Sequence, residues 1–156
     1  MKIRLLRLVP LALFLSALVG CLNHSTFGGI NVTIVDLKPA AAAALEPQTT
    51  LTLHYANENV VAVGIASSTH QLFLNGNHVG TAVSATPLGV QAMSAATQEV
   101  PVKFENLALV RQLANAGGAT TAGYRLESDM LVMAGDEKIH VKSVEQGTLD
   151  LSPLLK

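Results

Sequence analysis

The feature that most limits how this chain can fold is the segment HQLFLNGNHVGTAVS, residues 70–84. Two runs of strand-forming residues flank Asn75-Gly76, the preferred pair for the type I′ turn of a two-residue β-hairpin. The turn sets a register with three facing pairs, which are Leu74 with Asn77, Phe73 with His78, and Leu72 with Val79. The residues that this register places on one face are Leu72, Leu74, Val79, Thr81 and Val83. The segment therefore predicts an antiparallel hairpin with a defined inner face.

The same two-residue period recurs along much of the chain. In TTLTLHYAN, for example, Leu51, Leu53 and Tyr55 point to one side of a predicted strand. The segment VVAVGIA, which follows a turn at residues 57–59, predicts the next strand. QEVPVKFENL predicts another, and Pro101 within it suggests a sheet edge or a bulge because proline has no backbone N–H.

Only one segment has a clear helical period. LALVRQLANAGG places Leu107, Val110 and Leu113 at helical intervals and ends in two glycines, which favour termination. Counting the remaining alternating segments gives seven or eight short strands separated by turn residues. The predicted fold is therefore all-β, an antiparallel β-sandwich of about seven strands with one short helix.

The first twenty residues have the layout of a secretory signal peptide. Three basic residues, Lys2, Arg4 and Arg7, precede an apolar run, and about 13 residues separate Arg7 from Cys21, too few for the roughly 20 that a membrane-spanning helix needs. This predicts a signal peptide at residues 1–20, a tether at 21–29, and a sandwich domain at 30–156. A flexible chain of the eight residues after Cys21 would span roughly 15 Å, so the domain would stay near its attachment point.

Residues 18–21, Leu-Val-Gly-Cys, resemble the lipobox of bacterial lipoproteins. The resemblance implies that the leader is removed before Cys21 and that the Cys21 sulfur carries diacylglycerol. Cys21 is the one cysteine of the sequence, so no internal disulfide can form, and a thioether explains its presence. In lipoproteins of enteric-type bacteria an Asp after the cysteine retains the protein at the inner membrane, so with Leu22 at this position the resemblance implies the outer membrane, facing the periplasm. The predicted partner is thus a membrane, through a lipid anchor on Cys21.

The charge of the mature chain restricts its other partners. Residues 21–156 carry seven basic and eleven acidic residues, a formal charge of −4. Nucleic-acid binding depends on Lys and Arg that neutralise phosphates, so this balance argues against it and against a polybasic membrane patch. The length suits a single domain with one core.

Several motifs together resemble the late embryogenesis abundant type 2 family, also called the water stress and hypersensitive response domain. These are YANEN, the hairpin LFLNGNHVGTA, the strand VPVKFE and the terminal GTLDL. The residues that match the family's motifs are Asn57, Asn59, Asn75, Gly76 and Gly80. Glu58 stands where the family usually has proline, so this turn lacks the fixed φ that proline provides.

The resemblance implies a seven-stranded sandwich of fibronectin type III or immunoglobulin shape, no known catalytic site, and an association with desiccation or other stress. Bacterial members are often small lipoproteins, in agreement with the prediction for Cys21.

The sequence offers little support for an enzyme or a metal site. The five histidines show no close zinc-ligand spacing and are interpreted as scattered residues of the sheet surface. No Gly-x-Ser-x-Gly pentapeptide occurs, and SSTH at residues 67–70 is interpreted as a polar loop that leads into a strand. We expect no catalytic residues, no metal and no cofactor.

Three functional hypotheses follow. The first is a membrane-anchored, non-enzymatic stress protein that binds or protects envelope components, with a client segment adding to a sheet edge as one possibility. The second is an accessory lipoprotein subunit of an envelope transport or assembly complex. The third, an envelope hydrolase, requires a concave polar cleft.

Overall fold

The computed structural model describes residues 28–38, 48–115 and 120–155, and most of them belong to β-strands. The eight strands are β1 (Ile30–Lys38), β2 (Gln48–Asn57), β3 (Val63–Leu74), β4 (Asn77–Ser84), β5 (Leu88–Val90), β6 (Ser94–Phe104), β7 (Thr121–Ala134) and β8 (Glu137–Asp150). The α-helix α1 spans Leu107–Asn115, and a 3₁₀ helix spans Ser152–Leu155. Within the described ranges, neither helix has the length and apolarity needed to cross a bilayer.

All the strand pairs are antiparallel, as the hairpin pattern predicts. They form a single hydrogen-bonded sheet with the order β1-β2-β6-β4-β3-β7-β8, and β5 pairs with β3. The prediction of an all-β antiparallel fold with one short helix is confirmed. The division into two separate sheets of immunoglobulin or fibronectin type is not confirmed, because hydrogen bonds connect all eight strands.

Along the path from β1 to β8, the shortest ladder joins β4 and β6. Only three residue pairs join these strands: Gly80 with Phe104, Thr81 with Lys103, and Ala82 with Val102. Pro101, which has no backbone N–H, directly precedes this ladder, so residues 94–101 of β6 pair with β2 alone. The edge predicted at Pro101 is therefore present on the side of β4.

This narrow connection lets the sheet curl nearly closed around one interior. β1, at one end of the strand order, packs along β8, at the other. The Ile34 N–H of β1 also donates to the hydroxyl of Tyr124, which belongs to β7, the neighbour of β8, at 3.3 Å. Tyr55, Leu51 and Leu53 of β2 are fully buried, so the side predicted for this strand is confirmed.

The hairpin register is right for two of its three predicted pairs. Leu74 faces Asn77 and Phe73 faces His78. Leu72 faces Gly80, because a β-bulge shifts the register between Leu72 and Phe73. The inner face of β4 continues with Ala82 and Ser84, whereas Thr81 and Val83, predicted inside, are turned outward. The cause is distant in sequence, since the Val79 carbonyl accepts the N–H groups of Glu105 and Asn106 after β6.

Two further local predictions are wrong. The strand predicted to begin at Val60 begins at Val63, and residues 60–62 form an exposed bend. The SSTH segment, predicted to be a loop, lies within β3. The helix prediction is confirmed: α1 begins after Asn106, whose side-chain oxygen accepts the Leu109 N–H at 3.0 Å, and Val110 is buried.

Candidate functional site

Two asparagines organise one end of the sheet. We call Asn57, Asn59 and the backbone they bind the asparagine junction. Asn57 ends β2 and is buried, and its Nδ2 donates to the carbonyl oxygens of Val61 and Gln91, each at 2.9 Å. These oxygens belong to the loops that precede β3 and follow β5. A single side chain therefore holds two loops together at a place where no strand ladder can do so.

Asn59 extends this network to the first described residues. Its backbone N–H and its Nδ2 both donate to Asn57 Oδ1, at 3.0 and 2.8 Å. Its own Oδ1 accepts the Gly28 N–H at 2.6 Å, and its Nδ2 donates to the Gly29 carbonyl at 3.2 Å. The backbone that leads into β1 is thereby fixed against the loop between β2 and β3.

The departure from the family pattern at Glu58 is accommodated by a polar contact. The Glu58 side chain is exposed, and its carboxylate accepts a hydrogen bond from Asn31 Nδ2 of β1 at 2.8 Å. This bond attaches the turn to β1, as Asn59 also does. The turn is thus restrained by side-chain bonds in place of the fixed φ of a proline.

Next to the junction lie three strongly exposed apolar side chains. Val60, Val61 and Met93, which we call the apolar tip, are 81%, 50% and 69% exposed. The two loops that carry them meet directly, because the Met93 N–H donates to the Asn59 carbonyl at 2.9 Å. Met93 has φ of 51°, a left-handed conformation that residues with a Cβ adopt at a cost of about 1 kcal/mol or more.

At the opposite end of β3 lies the predicted hairpin turn. Asn75 and Gly76 have φ of 46° and 83°, as a type I′ turn requires. The turn is bound to β7, since the Asn75 N–H donates to the Gly123 carbonyl at 2.8 Å and the Gly123 N–H to Asn75 Oδ1 at 3.0 Å. Gly80 lies farther along β4, where a Cβ would come within 2.5 Å of the Lys103 carbonyl oxygen.

Between the two ends, a polar cluster is buried in the interior. His70 has no exposed surface, and each of its ring nitrogens lies near a hydroxyl. Nδ1 is 2.8 Å from Ser128 Oγ, and Nε2 is 2.9 Å from Ser68 Oγ and 3.0 Å from the Tyr55 hydroxyl. Hydroxyls can donate or accept, so a neutral imidazole is satisfied here. Burial lowers the pKa of His70 to about 4 and raises the pKa of Tyr55.

The interpretation of the histidines as surface residues is therefore wrong for His70. Its neighbours on the inner face of β3 are Ser68, Leu72 and Leu74, and this alternation is a signal that could have placed it inside. The contact with Ser68 and Ser128 does not resemble an accessible nucleophile and base, because the imidazole is closed off from solvent. The cluster has a structural role.

Other sequence-based expectations concern residues that the structure places elsewhere or does not cover. Cys21, the predicted leader and most of the predicted tether lie outside the described residues. The five motif residues separate into two groups, with Asn57 and Asn59 at one end of β3 and Asn75, Gly76 and Gly80 at or near the other. Among the described residues, no group of three or more His, Cys, Asp and Glu side chains could hold a metal ion.

Comparison with known proteins agrees with this architecture. A family model described as late embryogenesis abundant protein matches residues 52–144. The comparison with curated proteins gives no match. A solution structure of a protein from Arabidopsis thaliana is similar to this chain, with 13% identity, a TM-score of 0.55, and coverage of 77% of this chain and 80% of that chain. A crystal structure of a protein from Archaeoglobus fulgidus matches with 18% identity and a TM-score of 0.45, covering 76% of this chain and 97% of that one.

Proposed function

Because this chain belongs to the late embryogenesis abundant protein family, we propose that it is a non-enzymatic, stress-associated lipoprotein that binds or protects components of a bacterial envelope during water loss. The family match over residues 52–144 is the observation that carries this proposal. The family is generally non-enzymatic. The buried position of His70 fits this view, because a substrate could not reach His70 or the serines that it contacts, Ser68 and Ser128.

The anchor is the second part of the proposal. The lipobox pattern at residues 18–21 supports a diacylglycerol thioether on Cys21, and Leu22 supports attachment to the outer membrane facing the periplasm. Gly28 is seven positions after Cys21, and this length of chain spans at most about 25 Å when fully extended. Since Asn59 holds Gly28, the domain would remain within this distance of the lipid.

The curled sheet suggests how binding occurs. The short β4–β6 connection supports a description as two layers, close to the sandwich predicted from the sequence. Residues 94–101 of β6 leave one side without a strand ladder, and a client segment in extended conformation could add there. Pro101 and the exposed Glu99 would limit pairing between two copies at this edge.

A drying challenge tests the proposal. A strain that lacks the protein should lose viability on desiccation, and the wild-type chain should restore survival while Cys21→Ser should restore it poorly. Mass spectrometry of the mature N-terminus should show the lipid mass on Cys21. Unchanged survival of the deletion strain would argue against the stress role, and an unmodified cysteine would argue against the anchor.

The exposed apolar tip favours one alternative, an accessory lipoprotein subunit of an envelope transport or assembly complex. Exposed apolar side chains that lie together in one patch, as these do, are typical of interaction sites, whereas singly exposed ones are common on any protein surface. This alternative predicts one stable protein partner, recovered by cross-linking in intact cells irrespective of water stress.

A further inference from the structure

We propose that the apolar tip, Val60, Val61 and Met93, inserts into the interfacial region of the lipid bilayer that carries the Cys21 anchor. This inference rests on the proposed lipid anchor and adds to it a second contact made by the folded domain. The tip and the anchor would together fix the orientation of the domain on the membrane.

The position of the tip supports this assignment. Asn59 binds the backbone of Gly28 and Gly29 through its side chain, and Val60 is the next residue in the chain. The described chain therefore begins beside the tip and not at the hairpin end. The seven positions from Cys21 to Gly28 allow at most about 25 Å, so a lipid on Cys21 brings this end of the sheet close to the bilayer.

The exposure of the tip has no evident role in the fold. Val60 and Val61 lie in a bend outside the strands, and their side chains do not contribute to an inner face. Met93 is exposed although its left-handed backbone would be adopted more readily by glycine. A flexible apolar side chain at such a position is costly for the domain alone, but it suits insertion among acyl chains.

The charges near the tip define the lipid it fits. The loops at residues 58–62 and 91–93 carry one charged residue, Glu58, which is bound by Asn31. The turn between β7 and β8, at the same end of the sheet, adds the exposed Asp136 and Glu137 beside Lys138. An excess of acidic groups does not favour anionic lipid. We therefore expect contact with zwitterionic lipid, driven by apolar burial and with weak dependence on salt.

Exposed valines elsewhere provide a matched control. Val144 is 58% exposed, similar to the tip residues, but it lies in the middle of β8 on the side of the molecule. A general affinity of exposed apolar side chains for vesicles would affect Val144 and Val60 alike. Insertion of the tip would affect only Val60 and its neighbours.

The test uses the full lipidated chain in vesicles of phosphatidylcholine and phosphatidylethanolamine. Because the Cys21 sulfur would be a thioether, the variants Val60→Cys, Met93→Cys and Val144→Cys each carry one free thiol for an environment-sensitive fluorophore. The expected result is a blue shift and quenching by bromolipids for labels at residues 60 and 93, and neither effect for a label at 144. Raising the salt concentration should leave the shift in place.

The outcomes separate the inference from the proposed function. If the lipid mass on Cys21 is present but labels at 60 and 93 behave like the label at 144, the tip does not insert and the inference is wrong, while the anchored lipoprotein stands. If the lipid mass on Cys21 is absent, the proposal of a lipid anchor is wrong, and the inference that depends on it is wrong as well. Cross-linking from residue 60 to an envelope protein without a shift on vesicles would identify the tip as a protein interface and overturn the lipid assignment.

Discussion

At the hairpin end of the sheet, the turn at Asn75 and Gly76 exposes polar groups, whereas the loops at the opposite end expose Val60 and Met93. Both ends use asparagine side chains to bind backbone groups that the strand ladders leave unpaired. At the hairpin end the asparagine is itself exposed, while at the asparagine junction it is buried under the loops that it holds. The fold needs an amide at both ends but needs an apolar surface at neither, so the apolar tip calls for an explanation from outside the domain.

The largest expected effect comes from breaking the asparagine junction with Asn57→Ala. This change removes the donor to the Val61 and Gln91 carbonyls and the acceptor for Asn59, all at a buried position, so we expect a loss of about 3 kcal/mol in the free energy of unfolding. The matched change at the hairpin end, Asn75→Ala, affects an exposed turn and should lose about 1 to 2 kcal/mol through its bond to Gly123 and its positive φ. Denaturant unfolding measures both, and equal losses would contradict the contrast between the two ends.

Acidification should lower the free energy of unfolding through His70, which is buried in the interior between the two ends. The neutral form of His70 is favoured in the folded state, so the unfolded chain binds more protons between pH 6.5 and about 4. The contribution of neutral His70 to the free energy of unfolding is present above pH 6.5. As the pH falls to 4, about 3 kcal/mol of the free energy of unfolding should be lost. If the domain unfolds as one unit, hydrogen exchange at the Asn59 and Gly123 amides should accelerate together as the pH falls.

The control for this pH dependence is His70→Gln, which cannot titrate in this range. It should be less stable than the parent at pH 7 but should lose less stability between pH 6.5 and 4. A parental slope in His70→Gln would show that another group is responsible.

The next effect concerns the close contact of β4 and β6 near the hairpin end. Gly80→Ala would place a Cβ at 2.5 Å from the Lys103 carbonyl oxygen, and the strands would have to separate, at about 2 kcal/mol. Gly89→Ala in β5 is the control, since nothing lies within 4 Å of a Cβ there. Thermal unfolding should show a lower midpoint for the first and little change for the second. Equal midpoints would mean that the strands adapt without strain.

These residues also show which parts of the structure could be predicted from the sequence. The Asn75-Gly76 turn depends on backbone preferences of two adjacent residues, so local sequence predicts it correctly. The bulge at Val79 depends on Glu105 and Asn106, which lie beyond another strand, and no local pattern contains this information. Local prediction therefore failed where contacts between distant segments determine the structure.

The same distinction applies to the candidate site. The asparagines of the junction could be identified as motif residues, but their contacts with Gly28 and Gln91 join segments about thirty residues away on either side. Val60 and Val61 favour a strand by composition, yet the Asn57 amide takes the Val61 carbonyl and keeps this segment out of the sheet. The burial of His70 likewise depends on Tyr55, which the curl of the sheet brings against it.

The smallest expected effect on stability is at the apolar tip, and it is the most informative for the contrast between the ends. Met93→Gly removes a large exposed side chain but also removes the strain of a left-handed backbone, so we expect stability to stay the same or to rise by up to about 1 kcal/mol. Ala92, in the same turn, does not have a positive φ. Ala92→Gly should therefore lower the free energy of unfolding by about 0.5 to 1 kcal/mol. Denaturant unfolding of the two variants gives the comparison. A clear loss on Met93→Gly would mean that the side chain packs on the domain and that the tip belongs to the fold. A gain would mean that the domain is more stable without Met93, and the reason for a methionine there would then have to be a contact that the isolated domain does not make.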